Sequence, residues 1–321
     1  MRFANEFQLA NRKGIKGKLE RGVIACAFLL LCALLTPAQQ GNEKTFSSPG
    51  QAALALYSAA KANDTQALTA ILGSNASKIL HTGDDVADRE MRDNFISRYT
   101  QMHRVVVEPD RRATLYIGAE NWPLPIPIVS NQSGSWYFDT EAGEKEVLER
   151  RIGRNENDAI ETLHALVDAQ VDYASRAADG GTTRHYAMKF LSDEGQHDGL
   201  YWKTADNKPP SPIGPLLVSA AAEGYKLHAG HPTPFHGYFY RILTKQGAKA
   251  QGGALNYVVD GKLTRGFAFV AYPAEYRNSG VMTFIVNQNG VVYQKNLGLK
   301  TPEIASAMQA YNPGRTWRRI D

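Results

Sequence analysis

Hydrophobic residues recur along the chain with two different periods, and the changes between these periods define its elements. Between residues 48 and 102, apolar residues recur at helical spacing in three stretches. The first two stretches begin at Ser48 and Asp64, which are typical N-cap residues. In the first helix, Leu54, Tyr57 and Ala60 are expected to form the buried face. The start of the chain is therefore predicted to be helical.

Strand-like segments follow these helices and return towards the end of the chain. The first group of predicted strands lies at residues 104–108, 113–118, 122–129 and 135–139. Two further helices are predicted at 141–149 and 157–177, and the proline- and glycine-rich residues 209–215 are expected to be irregular. The second group of strands lies at residues 237–244, 256–259, 267–272, 282–287 and 291–295, before a short helix at 301–310. Helices followed by antiparallel strands, twice over, predict an α+β fold.

The segment 122–129 is predicted to lie at the edge of its sheet. Pro123, Pro125 and Pro127 lack amide hydrogens, and alternate residues of a strand point to the same side. One side of this segment therefore cannot donate hydrogen bonds to a neighbouring strand, so the segment should be an edge strand or a polyproline-like rim. At the other end of the chain, Asn289-Gly290 predicts a hairpin between the last two strands.

The order of elements resembles two known layouts, one in each half. The N-terminal helices with a curled antiparallel sheet resemble the cystatin-like, or nuclear-transport-factor-like, arrangement. The long helix followed by an antiparallel meander resembles the globular domain of pilins and pseudopilins. We place the boundary at the arginine-rich residues 150–154, which gives an N-terminal domain of residues 39–152 and a C-terminal domain of 153–321.

Residues 1–38 are typical of a signal peptide. A basic segment precedes the apolar run 23–35, and Thr36-Pro37-Ala38 offers small residues for cleavage. The apolar run is shorter than the roughly 20 residues that a membrane-spanning helix needs. We therefore expect an exported protein without an integral membrane span after cleavage.

Cleavage would change the charge and the cysteine content of the protein. The whole chain has 36 basic and 32 acidic residues, whereas residues 39–321 have 30 of each and are formally neutral. A neutral chain lacks the basic surface that nucleic-acid binding requires, so we expect no nucleic-acid partner. Cys26 and Cys32 would leave with the signal peptide, which excludes disulfides and cysteine-based zinc sites in the mature chain.

Several short strings in this order resemble an uncharacterised family of exported bacterial proteins, known as domain of unknown function 2950. The resemblance covers residues 46–318. The strings are ND at 63–64, ILG at 71–73, WPLPIP at 122–127, RIGRNE at 151–156, DGLYW at 198–202, YVVDG at 257–261 and GVMTF at 280–284. The resemblance implies a bacterial envelope location, but no activity, cofactor or site residue.

Candidate binding residues are aromatic side chains on proline-rich edges and loops, where ligand and partner surfaces are often built. They are Trp122, Tyr201, Trp202, Tyr238 and Tyr240. The alternative is that these side chains cover the cores of small sheets.

A metal site is not predicted, and neither is any other cofactor. The weak candidates for metal ligands are His228, His231 and His236, which lie within nine positions of one another. Ordinary loop and strand-start histidines are the favoured explanation, and these three positions are where a metal would be sought.

We expect a non-enzymatic envelope protein that serves in binding or assembly, with an envelope protein or a cell-wall component as its partner. No catalytic residue is predicted. The alternative is a hydrolase of an envelope polymer that uses carboxylates and histidines distant in sequence. A pocket with a His–carboxylate pair would favour the hydrolase, and an apolar groove beside Trp122 or Trp202 would favour the binding module. The oligomeric state stays open.

Overall fold

The computed structural model describes residues 44–176, 184–205, 207–225 and 233–320. The described residues belong to one unit of the chain, residues 41–321. The predicted signal peptide lies outside them. Within these ranges, no helix has both the length and the apolar character needed to cross a membrane.

Helices dominate the first half of the described chain. Helix α1 begins at the N-cap Ser48, whose hydroxyl accepts from the Gln51 amide, and α2 begins at Asp64, as predicted. The α-helices are α1 (Pro49–Lys61), α2 (Thr65–Leu72), α3 (Ala76–Leu80), α4 (Asp85–Gln101), α5 (Thr140–Arg176), α6 (Gly214–Glu223) and α7 (Thr301–Ser306).

Strands form two larger sheets and two small ones. In the N-terminal half they are β1 (His103–Val107), β2 (Arg112–Ile117), β3 (Trp122–Pro123), β4 (Ile128–Ser130) and β5 (Trp136–Phe138). In the C-terminal half they are β6 (Tyr238–Leu243), β7 (Lys245–Gln246), β8 (Leu255–Asn256), β9 (Val258–Val259), β10 (Lys262–Leu263), β11 (Ala268–Pro273), β12 (Met282–Asn287), β13 (Tyr293–Asn296), β14 (Ala310–Tyr311) and β15 (Arg318–Arg319).

The N-terminal sheet has the order β1-β2-β4-β5, and β3 also pairs with β2. The larger C-terminal sheet has the order β15-β13-β12-β11-β6, and all of its pairs are antiparallel. The predicted hairpin joins β12 to β13, with Gly290 in the left-handed backbone region. Helices with antiparallel sheets confirm the predicted α+β class.

The predicted strand at 122–129 is interrupted. Residues 122–123 pair with β2 and residues 128–130 pair with both β2 and β5, but residues 124–127 form no strand. Pro125 and Pro127 lie in this gap, and neither can donate a ladder hydrogen bond. The prolines thus break the strand instead of only confining it to an edge.

The two helices predicted at 141–149 and 157–177 are one continuous helix, α5, of 37 residues. The arginine-rich residues 150–154 form its middle and not a connection between elements. Because Gly153 is exposed and a Cβ atom there would meet nothing within 4 Å, its small size does not reflect crowding.

Three smaller predictions also differ from the structure. Leu54 is 55% exposed, because the buried face of α1 is formed instead by Ala52, Leu56 and Ala59. Helix α6 begins at Gly214 inside the stretch expected to be irregular, with a proline in its first turn, where proline is tolerated. The C-terminal helix α7 ends at Ser306, four residues earlier than predicted.

The buried hydrophobic residues form two clusters. The N-terminal cluster gathers residues of α1, α2, α3 and the first sheet, and Val147 of α5 packs against it. The C-terminal cluster gathers the large sheet and residues of α5 from Ala159 to Tyr173. Helix α5 thus contributes to both clusters, while the predicted boundary between residues 152 and 153 stays a prediction.

Candidate functional site

A cavity of about 470 Å³ lies between the N-terminal helices, the middle of α5 and the first sheet. Leu56 of α1, Leu68 of α2, Ile117 of β2 and Ile126, between β3 and β4, form part of its wall. All four side chains are buried members of the N-terminal hydrophobic cluster. Part of the cavity wall is therefore aliphatic.

Charged side chains lie on the lining at α4 and α5. The lining arginines are Arg92, Arg98, Arg150, Arg151 and Arg154, and the lining carboxylates are Asp88 and Glu90. Residues three or four apart share a face of a helix, which places the members of each helix together on the cavity side. Five guanidinium groups against two carboxylates give the lining an excess of positive charge, although Glu146 outside the lining pairs with Arg150.

Trp122 lies half-buried in the lining, between two of these arginines. The guanidinium carbon of Arg150 is 4.7 Å from the centroid of the indole ring, and that of Arg98 is 6.0 Å from it. Both distances are within the range of cation–π attraction. Trp122 therefore holds two cations beside the aliphatic wall.

Arg151 is the most buried of the five arginines, with 4% of its surface exposed. Its Nη1 donates to the Lys78 carbonyl at 2.9 Å and to the Asn278 side chain, and its Nη2 donates to the Ile79 carbonyl. Burial lowers the pKa of Arg151 to about 10, and nearby Asp88 only partly opposes this effect.

Two guanidinium donors in the lining are buried and lack an acceptor among the described residues. They are Nε of Arg151 and Nη1 of Arg150. The other end of the Arg150 guanidinium group, Nη2, donates to Glu146. A buried donor that is left unpaired costs about 1–3 kcal/mol, so both atoms would gain from an added acceptor.

A histidine and a carboxylate also meet at the cavity. His81 Nδ1 lies 3.8 Å from Asp88 Oδ2. Both Asp88 oxygens accept from the Thr82 amide, at 3.0 and 3.2 Å. Burial raises the pKa of Asp88, an effect that the Thr82 hydrogen bonds and the Arg151 charge counter. The main contact of Asp88 is thus with the backbone at Thr82, in the segment that precedes α4.

An aliphatic wall with a positive end can enclose an apolar molecule and pair with a negative group on it. The described residues include no group of three His, Cys, Asp or Glu side chains that could hold a metal ion.

The predicted aromatic residues lie on different cores. Trp122 packs against the N-terminal cluster, whereas Tyr201, Trp202 and Tyr240 pack, partly buried, against the C-terminal cluster. Trp202 stacks on His197, with ring centroids 4.4 Å apart. Of the five predicted residues, Trp122 lies in the cavity lining.

Tyr238 and Tyr240 belong to strand β6. Tyr238 is 0% exposed, and its hydroxyl donates to the Met282 carbonyl at 3.0 Å. Burial raises the pKa of both tyrosines. The burial of Tyr238 favours a role in the core for this residue and not one on a surface.

Of the three histidines considered as metal ligands, His228 and His231 lie outside the described residues. His236 is partly buried between two carboxylates: Glu223 Oε2 lies 3.4 Å from its Nε2, and Asp158 Oδ2 lies 3.9 Å from its Nδ1. This cluster joins the segment before β6 to α5 and α6.

Sequence reasoning missed the arginines of the cavity because it interpreted residues 150–154 as a junction. The available signal was the spacing of Arg150 and Arg154, four residues apart and so on one helical face, with Arg151 beside them. That signal becomes useful only when α5 is known to be continuous.

The fold and the cavity together define an α+β protein with an aliphatic cavity and an arginine-rich end. The chain belongs to the family described as "Protein of unknown function (DUF2950)", whose model matches residues 43–320. No curated protein and no solved structure matches the chain. The family suggested by the sequence strings is confirmed, and the pilin-like resemblance stays an analogy of layout.

Proposed function

We propose that this protein is an exported binding module of the bacterial cell envelope and that the cavity beside Trp122 is its ligand site. The observation that carries the proposal is the cavity of about 470 Å³, with its aliphatic wall and a few converging polar groups. Small-molecule sites in proteins are typically concave, mostly apolar and roughly 300–1,000 Å³ in volume. The cavity agrees with both criteria.

The binding test uses a neutral apolar dye, N-phenyl-1-naphthylamine, whose fluorescence rises when it leaves water. We expect saturable binding of one dye per chain. Val147 lines the cavity from α5, so Val147→Trp should fill the space and weaken binding by at least about tenfold.

Val171 provides the matched control, because it lies on the same helix and is 45% exposed. Val171→Trp should bind the dye as the unchanged chain does, and circular dichroism should show that both variants are folded. If both variants bind the dye equally well, or if the unchanged chain binds neither the dye nor a decyl amphiphile, the cavity is not the ligand site.

Export is the second part of the proposal, and residues 1–38 support it. Their basic segment, apolar run and small residues before position 39 are typical of a cleaved signal. With a C-terminal tag, we expect the chain in the periplasmic fraction, beginning at Gln39. Deletion of residues 23–35 should leave it in the cytosol, and an unprocessed cytosolic full chain would contradict export.

The competing hypothesis, a hydrolase, is favoured by one observation, the pair His81–Asp88 at the cavity. Its two nearest atoms are 3.8 Å apart, longer than a hydrogen bond. Because Asp88 is engaged by the Thr82 amide through both oxygens, it is poorly placed to orient His81 as a base. The geometry therefore supports binding better than hydrolysis.

A further inference from the structure

We propose that the ligand of this cavity is an amphiphile with an aliphatic tail and an anionic head group, a carboxylate or a phosphate monoester, and that Arg150 and Arg151 hold the head group. The proposal rests on the proposed function, since it names the class of ligand for the same cavity. It follows from the charge, the unpaired donors and the shape of the lining.

The charge of the lining favours an anionic ligand. Five arginines and two carboxylates line the cavity, although the mature chain as a whole is formally neutral. Guanidinium groups are always charged and form paired, directional hydrogen bonds with carboxylates and phosphates. The lining is therefore complementary to an anion and not to a cation.

Two buried guanidinium N–H donors of the lining arginines lack a hydrogen-bond acceptor within the described part of the chain. Nε of Arg151 and Nη1 of Arg150 are both buried and have no acceptor among the residues that the structure describes. The Arg151 side chain is 4% exposed, so water reaches it poorly. Both side chains belong to the cavity lining, so a small shift of either guanidinium group would let an anionic oxygen accept from an N–H group that the protein does not satisfy itself.

The Arg150 guanidinium group is held in place before any ligand binds. Trp122 contacts the Arg150 guanidinium group through its ring face, with 4.7 Å between the guanidinium carbon and the ring centroid. The Nη2 of the same guanidinium group donates to Glu146, so the side chain is held from two directions. An anion would therefore meet a cation whose orientation is already fixed, which reduces the entropy cost of binding.

The apolar part of the lining favours a ligand with a hydrocarbon tail. Away from the arginines, the lining is formed by side chains such as Leu56, Leu72 and Ile117, which offer no hydrogen bonds. An inorganic anion would leave this apolar space unused. A molecule with a hydrocarbon tail would remove both its own apolar surface and that of the lining from water.

The experiment measures the binding of decanoate, decyl phosphate, 1-decanol and inorganic phosphate to the mature chain by isothermal titration calorimetry. The neutral dye is included in parallel. We expect decanoate or decyl phosphate to bind at least about tenfold more tightly than 1-decanol, because only their heads form charge-assisted hydrogen bonds. The difference between these two ligands identifies the preferred head group.

Arg150→Gln should weaken the binding of the anionic amphiphiles by at least about tenfold and leave the dye and 1-decanol unchanged. Arg150 is better suited to this test than Arg151, which also bonds to backbone carbonyls and whose loss would disturb the fold. Arg112→Gln, at an exposed arginine of β2 outside the lining, is the matched control and should bind all ligands normally.

Each outcome separates the two proposals. If the dye and 1-decanol bind as tightly as decanoate and decyl phosphate, the cavity is a ligand site, but the proposed preference for an anionic head group is refuted. If inorganic phosphate binds as tightly as decyl phosphate, the aliphatic tail does not contribute to binding and that part of the proposal is refuted. If neither the dye nor any decyl ligand binds, the proposed function itself fails.

Discussion

Asp88 shows how a single buried side chain can make the stability of this protein depend on pH. Its carboxylate accepts the Thr82 amide through both oxygens and lies near the Arg151 charge, yet burial outweighs these effects and raises its pKa. The folded chain therefore binds a proton at Asp88 more tightly than the unfolded chain does.

The consequence is a stability that falls as the pH rises through the raised pKa of Asp88. The carboxyl group favours the fold most below its ordinary pKa of 3.8, and this contribution is lost as the group ionises in the folded chain. Asp88→Asn keeps an oxygen that accepts from Thr82 but cannot ionise. We expect this variant to gain free energy of unfolding, relative to the unchanged chain, as the pH rises.

The measurement is urea unfolding of both proteins at pH values from about 4 to about 7, the range above the ordinary pKa of an aspartate. The exposed neighbour Asp85, in the first turn of the same helix, gives the control Asp85→Asn. An equal gain in the two variants would show that the burial of Asp88 is not the cause.

At the residue scale, local signals were predicted well and packing was not. Ser48 and Asp64 were identified as N-caps because capping depends on residues within one turn. Leu54 was placed in the core, but it is exposed because the neighbouring elements cover the alanine-rich face of α1 instead. The cavity could not be predicted, since its lining runs from Leu56 to Arg154 and depends on the tertiary arrangement.

Among the elements, the helix α5 contributes most to the cavity and the core. It supplies three of the five lining arginines and contacts both hydrophobic clusters. Its two glycines differ in their surroundings. A Cβ atom at Gly153 would meet nothing within 4 Å, whereas one at Gly143 would lie 2.6 Å from the Ile126 Cα. Gly143 therefore permits the close approach of α5 to the segment between β3 and β4.

This contrast gives a prediction with opposite signs at two positions of one helix. Gly153→Ala should stabilise the protein by about 0.5–1 kcal/mol, because alanine favours the helix interior. Gly143→Ala should destabilise it, because a backbone clash cannot be relieved by a side-chain rotation.

Thermal and urea unfolding of the two variants provide the measurement, with the unchanged chain as reference. If Gly153→Ala destabilises the protein instead, the helix is broken at residue 153, as the sequence pattern predicts.

The elements that were wrongly predicted contain glycine or proline. Gly153 and the surrounding arginines indicated a junction, but a single glycine costs a helix only about 1 kcal/mol, which tertiary packing of a long helix easily offsets. Helix α6 was missed because Pro215, near its start, was taken as a breaker although proline fits a first turn. The antiparallel strands were predicted more closely, and β12 has the predicted bounds.

At the scale of the whole molecule, α5 connects the two hydrophobic clusters through polar contacts as well as packing. Arg151 bonds to the carbonyl of Lys78 on one side and to Asn278 on the other. One turn further, the Asn155 side chain donates to the Ser279 carbonyl at 2.9 Å, and Glu156 accepts from the Val281 amide at 3.0 Å. These contacts lead us to expect that the two clusters unfold together.

Tryptophan fluorescence can test this expectation, because the four tryptophans divide evenly between the clusters. Trp122 and Trp136 pack against the N-terminal cluster, and Trp202 and Trp317 against the C-terminal one. In each of two double Trp→Phe variants, one per pair, the urea midpoint from fluorescence should equal that from circular dichroism. Separate midpoints in either variant would mean that the two clusters unfold independently.

The most direct test of the account is a crystal structure of residues 39–321 with 10-bromodecanoate, a ligand that marks its tail by anomalous scattering. We expect a bromine peak deep in the cavity, near Leu56 and Ile117, with the carboxylate within hydrogen-bond distance of Arg150 and Arg151. A bromine peak outside the cavity, or an empty cavity in crystals saturated with the ligand, would contradict it.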